Sequence, residues 1–297
     1  VPMFHITGMV SVMHASIYLG ATMVLMPRWD RELAGQLISR YQVTNWTNIP
    51  TMVIDLFASP NFRQFDLRSL AYIGGGGAAM PQAVAQRLLE QYGLRYAEGY
   101  GLTETSPAAT INPLDMHEFN GAIGLPISST EVSIRDDYGH EVPQGQVGEI
   151  CIRGPQVMKG YWNRPDETEK VMTKDGFFRT GDVGVMDSRG YFKIVDRKKD
   201  MILVSGFNVY PSEIEEVIAK HPKVLEVAAI GVPDEKSGEV PKLFIVKKDP
   251  SLTTEEIIAY AKQNLTGYKC PRYVEFMEEL PKSNVGKILR KDLRKPA

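Results

Sequence analysis

Leu70-Ala71-Tyr72-Ile73 is an apolar run of strand length that leads straight into Gly74-Gly75-Gly76-Gly77, and a helical pattern follows from Met80 to Tyr92. A strand, a glycine turn and a helix in that order pack as helices layered on a sheet, so this part of the chain reads as α/β. The alternation begins earlier. Ile17 to Met26 is the most apolar stretch, interrupted by Gly20 and Thr22, and reads as a helix end running into a short strand at Ala21–Met26. Asp30 to Tyr41 carries Leu33, Leu37 and Ile38 at helical spacing. Asn45 to Ile49 reads as the next strand, with Pro50 as the first residue of another helix.

From about Gly121 the apolar period becomes two. Val132 and Ile134, then Ile150 and Ile152, alternate with polar residues between turns such as Asp137-Tyr138-Gly139, which predicts an antiparallel, β-barrel-like subdomain. After the charged stretch Asp196-Arg197-Lys198-Lys199-Asp200 comes a small α+β pattern. Ser212-Glu213-Ile214-Glu215 has the spacing of a capping box and predicts a helix through Lys220. Strands are predicted at Leu225–Val232 and Lys242–Lys247. A second capping box, Thr253–Glu256, opens a helix to about Leu265. A last strand at Tyr273–Met277 and a short basic helix from Ile288 complete the pattern. The expected division is a large domain over 1–196, a hinge over 197–200 and a small domain over 201–297.

At 297 residues the chain exceeds the usual size of one domain, and 43% hydrophobic content suffices for real cores. A net charge of −2, with acids and bases mixed, lacks the basic face that nucleic-acid binding needs. Cys151 and Cys270 are far apart and fit free thiols in a reducing compartment. No apolar run reaches the roughly 20 residues of a membrane-spanning helix. Val1-Pro2-Met3-Phe4-His5 has neither an initiator Met nor a signal-peptide n-region. It reads as mid-domain sequence, and the expectation is a terminus that is not a natural beginning.

Four segments carry chemistry. Gly74–Gly77 before a helix reads either as a nucleotide loop, where backbone approaches a ligand closely, or as a flexible turn. Glu98-Gly99-Tyr100-Gly101-Leu102-Thr103-Glu104-Thr105 sets two glycines around an aromatic ring, then a hydroxyl and a carboxylate. Such a segment suits stacking on a flat base, donation to phosphate and oxygen ligation of Mg²⁺. In Phe178-Arg179-Thr180-Gly181-Asp182 a carboxylate after a tight turn suits acceptance from two ribose hydroxyls. Pro281-Lys282-Ser283-Asn284-Val285-Gly286-Lys287 presents a lysine that can follow developing charge. Taken singly, Glu104 also reads as a surface acid, Asp182 as a turn residue and Lys287 as a solvated lysine.

In this order, Tyr100–Glu104, Arg179–Asp182, Asp196–Asp200, Ser205-Gly206-Phe207-Asn208-Val209-Tyr210-Pro211 and Gly286-Lys287 resemble the adenylate-forming superfamily of acyl-CoA synthetases, luciferases and peptide-synthetase adenylation domains. The resemblance covers essentially the whole chain. It implies that Gly76, Gly77 and Ala78 line an adenine site and that Tyr100, followed by Gly101, stacks on the base. Thr103 would bind phosphate, Glu104 would hold Mg²⁺, and Asp182 would take the ribose hydroxyls with Arg197 as a second contact. Lys199 falls at the hinge and Lys287 at the lysine of acid activation. Gly206 falls where the CoA thiol enters, and His5 and Gly75 fall at the acyl pocket. For His5 a satisfied core histidine is the competing reading.

The implied reaction has two steps. A carboxylate attacks the α-phosphate of ATP to give acyl-AMP and pyrophosphate, and the CoA thiol then displaces AMP. The implied substrate is a medium- or long-chain fatty acid, in a cytoplasmic setting or peripherally at a membrane, with a homodimer left open. The family's Ser/Thr/Gly-rich loop ending in Pro-Lys-Gly is expected before His5, and no such segment occurs in the 297 residues. The expectation is that this polypeptide alone does not form acyl-AMP. Two other readings stay open: acyl transfer to a carrier protein, and a non-catalytic nucleotide-binding module.

Overall fold

The computed structural model describes residues 1–116, 119–283 and 287–294. The chain divides into two compact units, Val1–Thr180 with Val185–Ile194, and Gly181–Gly184 with Val195–Ala297.

The first unit opens with π-helical turns at Thr7–His14 that continue as α1 (Ala15–Tyr18). The strand expected at 21–26 is absent. No neighbour pairs with this segment among the described residues, and Leu25 is 64% exposed, so apolar content alone did not make a strand. In α2 (Arg31–Tyr41) the Asp30 carboxylate accepts the Leu33 amide at 2.8 Å, capping the helix start. β1 (Asn45–Asn48) leads into α3 (Pro50–Phe57), which Pro50 opens as predicted. β2 (Tyr72–Gly75) starts two residues later than the apolar run and takes in the first two glycines. α4 (Gln82–Tyr92) ends at Gly93, whose φ of 64° is the left-handed cap that glycine adopts without strain. β3 (Tyr96–Tyr100), β4 (Thr110–Ile111) and β5 (Leu125–Pro126) complete a sheet ordered β1-β2-β3-β4-β5. Its first three strands are parallel and the last two pairings antiparallel. Ile38, Val53, Leu56, Ile73 and Leu88 form its core.

β6 (Glu131–Arg135), β7 (Gly148–Arg153), α5 (Pro165–Val171), β8 (Phe178–Met186) and β9 (Phe192–Arg197) follow. Their strands lie side by side in the order β6-β7-β8-β9. Ile134, Ile150 and Ile152 are buried as predicted, but so are Ser133, Arg135, Glu149 and Cys151 between and beside them. Burial therefore does not follow a period of two, and among the described residues the sheet is open with no closed barrel.

In the second unit β10 (Ile202–Val204) and β11 (Phe207–Val209) form a hairpin. Its two-residue loop puts Ser205 at φ 51° and Gly206 at φ 86°, the left-handed pair of a primed turn. α6 (Pro211–Ile218), β12 (Val224–Asp234), β13 (Gly238–Lys247), α7 (Thr254–Asn264), β14 (Tyr273–Met277) and α8 (Arg290–Leu293) follow. β13 pairs antiparallel with β12 and β10 and parallel with β14. The strand period divides its burial: Val227, Ala229, Leu243 and Ile245 face one core, Ala228, Ile230, Phe244 and Val246 the other. Each buried Ile or Leu contributes about 1.5–3 kcal/mol. The Thr253 hydroxyl accepts the Glu256 amide as a cap, whereas the predicted box at Ser212 does not form. The Ser212 hydroxyl shares its proton between the Val195 carbonyl and the Asp196 carboxylate, and Glu215 binds the Ala229 amide and Arg290 instead. Among the described residues no helix is long and apolar enough to cross a membrane.

Candidate active site

Gly75, the last residue of β2, pairs with Glu98 in the middle of β3, and ligands bind beyond the C-terminal ends of strands in open parallel sheets. The glycines there are demanded by close backbone approach. A Cβ on Gly75 would run into the Asn48 backbone, and one on Gly76 into the Gly99 carbonyl. Gly77, at φ 85°, turns the chain, and Gly77 and Ala78 are exposed. The structure thus brings Gly75, Gly76, Gly77 and Ala78 beside the segment that carries Tyr100 and Gly101. The Tyr100 ring is half-buried against the core around Ala109 and Ile123, and its carbonyl accepts the Ala109 amide at 2.9 Å.

Thr103, Glu104 and Thr105 form a tight 3-10 turn. Buried Thr105 takes the structural part, its hydroxyl accepting the Leu102 amide at 2.9 Å, which leaves Thr103 exposed. Glu104 is fixed at both ends. Its carbonyl accepts the Met158 amide at 2.8 Å, and its Oε1 accepts the Tyr161 hydroxyl at 2.8 Å. Burial and the hydrogen bond to Glu104 push the Tyr161 phenol up to about 12, so it stays a donor. Sequence reasoning gave Tyr161 no role, because nothing local marks a partner 57 positions away.

Glu98 was likewise passed over. Its side chain is buried, and burial pushes its carboxyl up to about 8, with the Met80 amide donating to it in opposition. Glu98 Oε2, Tyr96 Oη and Asn112 Oδ1 are buried without a hydrogen-bond partner.

The second unit gathers a different set. Asp182 lies inside β8, with Gly181 at φ 73° before it, and not after the tight turn expected. Its carboxylate is buried and meets Arg197 Nε at 3.6 Å. Lys287 joins this pair. Burial lowers its pKa first, the Arg197 charge adds to that, and Asp182 opposes it. The lysine's amide donates to Ser283 Oγ at 3.2 Å and its carbonyl accepts the Ser283 amide at 2.8 Å. Gly286 lies outside the described residues. Arg179 and Thr180 are structural: Arg179 bonds Glu149 at 2.8 Å, and the Thr180 hydroxyl donates to the Ile150 carbonyl at 2.8 Å.

Three predicted residues stand apart. Lys199 is exposed in the 3-10 turn Lys198–Asp200. Gly206 is exposed at the hairpin turn, where a Cβ would meet nothing within 4 Å and only the positive φ calls for glycine. His5 sits in the N-terminal turn, its Nδ1 accepting the Thr7 amide at 3.3 Å. The π-helical turns after it run on directly into α1.

The donor sets suit a nucleotide. Glycine carbonyls and amides that no Cβ covers, with orphaned Glu98 Oε2 close by, match a flat base bearing amino and ring-nitrogen groups. A buried carboxylate beside an arginine matches ribose hydroxyls and phosphate. Among the described residues no group of three metal-ligating side chains exists. A single carboxylate such as Glu104 would suit a Mg²⁺ that takes its other ligands from phosphate and water, the usual habit of that ion.

The sequence model of the AMP-binding enzyme family matches residues 1–162, and that of the AMP-binding enzyme C-terminal domain matches residues 213–287. A long-chain-fatty-acid–CoA ligase of Escherichia coli O6:H1 is 49% identical over 100% of this chain and 53% of its own length. One from Yersinia pestis is 50% identical over 99% of this chain and 52% of its own. The crystal structure of ATP-bound MatB from Rhodopseudomonas palustris superposes with a TM-score of 0.94 at 32% identity, covering 99% of this chain and 58% of that one. The chain thus spans about half the length of the curated relatives it matches.

Proposed function

Because the chain belongs to the AMP-binding enzyme family, we propose that it supplies the nucleotide- and lysine-bearing part of an AMP-forming acid–CoA ligase acting on a long-chain fatty acid. The substrate rests on one observation, about half identity across the whole chain to two proteins that carry that name. The full reaction belongs to a polypeptide of the relatives' length.

In the first step a carboxylate oxygen attacks the α-phosphorus of ATP, and the bond to the pyrophosphate oxygen breaks. Gly76, Gly77 and Ala78 receive the adenine edge through backbone groups, Tyr100 stacks on the base, and Thr103 donates to phosphate. Glu104, oriented by Tyr161, holds Mg²⁺, which supplies neutralisation of phosphate charge when bound. Asp182 accepts from the ribose hydroxyls, and Arg197 limits its motion. Lys287 donates to the attacking carboxylate and the phosphate as charge builds between them. In the second step the CoA sulfur attacks the acyl carbonyl, AMP leaves as its own phosphate anion, and the thiol proton passes to solvent. The CoA thiol arrives past Gly206, and Lys199 carries the change of backbone between steps. Gly75 and His5 border the acyl chain.

ATP–pyrophosphate exchange by the full-length protein, followed over a panel of acids and then with CoA or a phosphopantetheinyl carrier as acceptor, tests this. The reading expects exchange that depends on a long-chain acid and turnover with CoA. Exchange without acid dependence contradicts it, and turnover with the carrier alone reassigns the acceptor.

A further inference from the structure

Arg290 is the centre of a buried charge cluster that the proposed reaction does not use. Its guanidinium meets Glu215 Oε2 at 2.6 Å, Asp200 Oδ2 at 3.5 Å and Asp196 Oδ1 at 3.8 Å. Arg294 adds a contact to Asp200 Oδ1 at 2.9 Å, and Leu293, between the two arginines, is buried in the core with Ile230 and Phe244. The acids come from separate places in the chain. Asp196 and Asp200 bracket the charged stretch that holds Arg197 and Lys199, and Glu215 lies in α6. Asp196 is itself held by Ser212, whose amide and hydroxyl both donate to Oδ2, at 2.8 and 2.6 Å. Burial works against the charge on Arg290, yet the acids, Glu215 foremost, keep its pKa above the ordinary value. A guanidinium held by three carboxylates at several angles is fixed in position, which a flexible ammonium in its place would not be.

Arg290 is three residues from Lys287, and three extended residues span at most about 10 Å. On the near side a backbone bridge between Lys282 and Ile288 and the Leu289 amide bond to the Pro281 carbonyl leave little slack. On the far side Asp196 directly precedes Arg197, the cation that shares Lys287's surroundings with Asp182. We infer that Arg290 is a positioning residue: it clamps the Asp196–Asp200 segment to the stretch of chain that carries Lys287, so the lysine and its neighbours Arg197 and Asp182 keep one geometry. This rests on the role proposed for Lys287. A lysine that must meet a charge developing in the transition state loses effect when its mean position drifts by about 1 Å, even where substrate binding is untouched.

The test compares Arg290→Lys and Arg290→Gln with Lys287→Ala in the full-length protein. Acid-dependent ATP–pyrophosphate exchange reads the first step, and thioester formation from supplied acyl-AMP reads the second. The expected result for the Arg290 variants is at least a tenfold fall in exchange at saturating ATP, with KM for ATP and the second step each within twofold of the parent. Glu215→Gln and Asp200→Asn remove anchors from the opposite side and reproduce the same split at smaller size. They carry the test if the Arg290 variants do not fold. A fall in both steps together marks a merely structural role and overturns the inference, as does exchange at parental rate. Exchange that survives Lys287→Ala defeats the lysine's assignment itself. Exchange lost in Lys287→Ala but kept in Arg290→Lys defeats the anchor alone.

Discussion

The Tyr161 hydroxyl donates to Glu104 Oε1 at 2.8 Å, so the proposed metal carboxylate is aimed by a side chain 57 positions away. A carboxylate with one oxygen already engaged presents the other in fewer orientations, which lowers the cost of ordering it around a cation.

Tyr161→Phe removes that donor and little else. A hydrogen bond to a charged group contributes about 1.5–3 kcal/mol when buried, and the half-exposed ring here places the loss toward the lower end. Full-length protein carrying this change is expected to need roughly tenfold more Mg²⁺ for half-maximal rate. Titration of Mg²⁺ at fixed ATP checks it; an unchanged requirement separates Tyr161 from the metal.

The rate at high pH reads Lys287. Its pKa is lowered, mainly by burial and then by the Arg197 charge, so the proton that makes it a donor leaves below the ordinary lysine value of 10.5. Activity of the first step therefore falls on the alkaline side before a free lysine would titrate. Arg197→Met is expected to move that fall to higher pH and Asp182→Asn to lower pH, whatever either change does to the maximal rate. Exchange rates measured across the alkaline range with parent and both variants decide it.

Glu98 sets a slope in stability. Its carboxyl titrates near 8 when folded and near 4.5 when exposed. Between these values the folded chain keeps a proton that the unfolded chain has lost, so this group's contribution is full below pH 4.5 and declines as pH rises toward 8. The slope is at most about 1.4 kcal/mol per pH unit. Glu98→Gln keeps the shape, cannot ionise and should flatten it. Urea unfolding of parent and variant at pH 5, 6.5 and 8 should show the variant gaining on the parent at each step. Parallel curves would mean that Glu98 is ionised in the fold.

Gly76→Ala drives a methyl into the Gly99 carbonyl, which is backbone and has no rotamer to yield. Moving the loop costs about 1–3 kcal/mol, and KM for ATP is expected to rise about tenfold with it. Gly93→Ala is the control: its φ of 64° is strained for alanine, but a Cβ there meets nothing within 4 Å. It should lower stability by about 1 kcal/mol and leave KM for ATP alone.

Local signals in the sequence carried through where local physics decides the outcome. Asp30 starts α2, Pro50 opens α3, and Tyr273–Met277, with two aromatic residues and a valine among five, is a strand. They failed where a partner was missing or a better one was present. Ala21–Met26 had the apolar content of a strand but pairs with no strand among the described residues. Ser212 and Glu215 had the spacing of a capping box, yet Asp196 and Arg290 are charged partners that outcompete a helix-end amide. The glycine run and the Tyr100–Glu104 segment stood out as a candidate site because glycine and acid types are themselves the signal. Glu98 and Tyr161 were not, since burial and a contact 57 positions long leave no mark on neighbouring residues.

The most direct test of the whole account is product analysis of the full-length protein with a long-chain fatty acid, Mg²⁺, ATP and CoA. AMP, pyrophosphate and acyl-CoA are expected in equal amounts, with AMP release abolished when the acid is left out. ADP and phosphate as products, or nucleotide bound without any acid-dependent turnover, would contradict it.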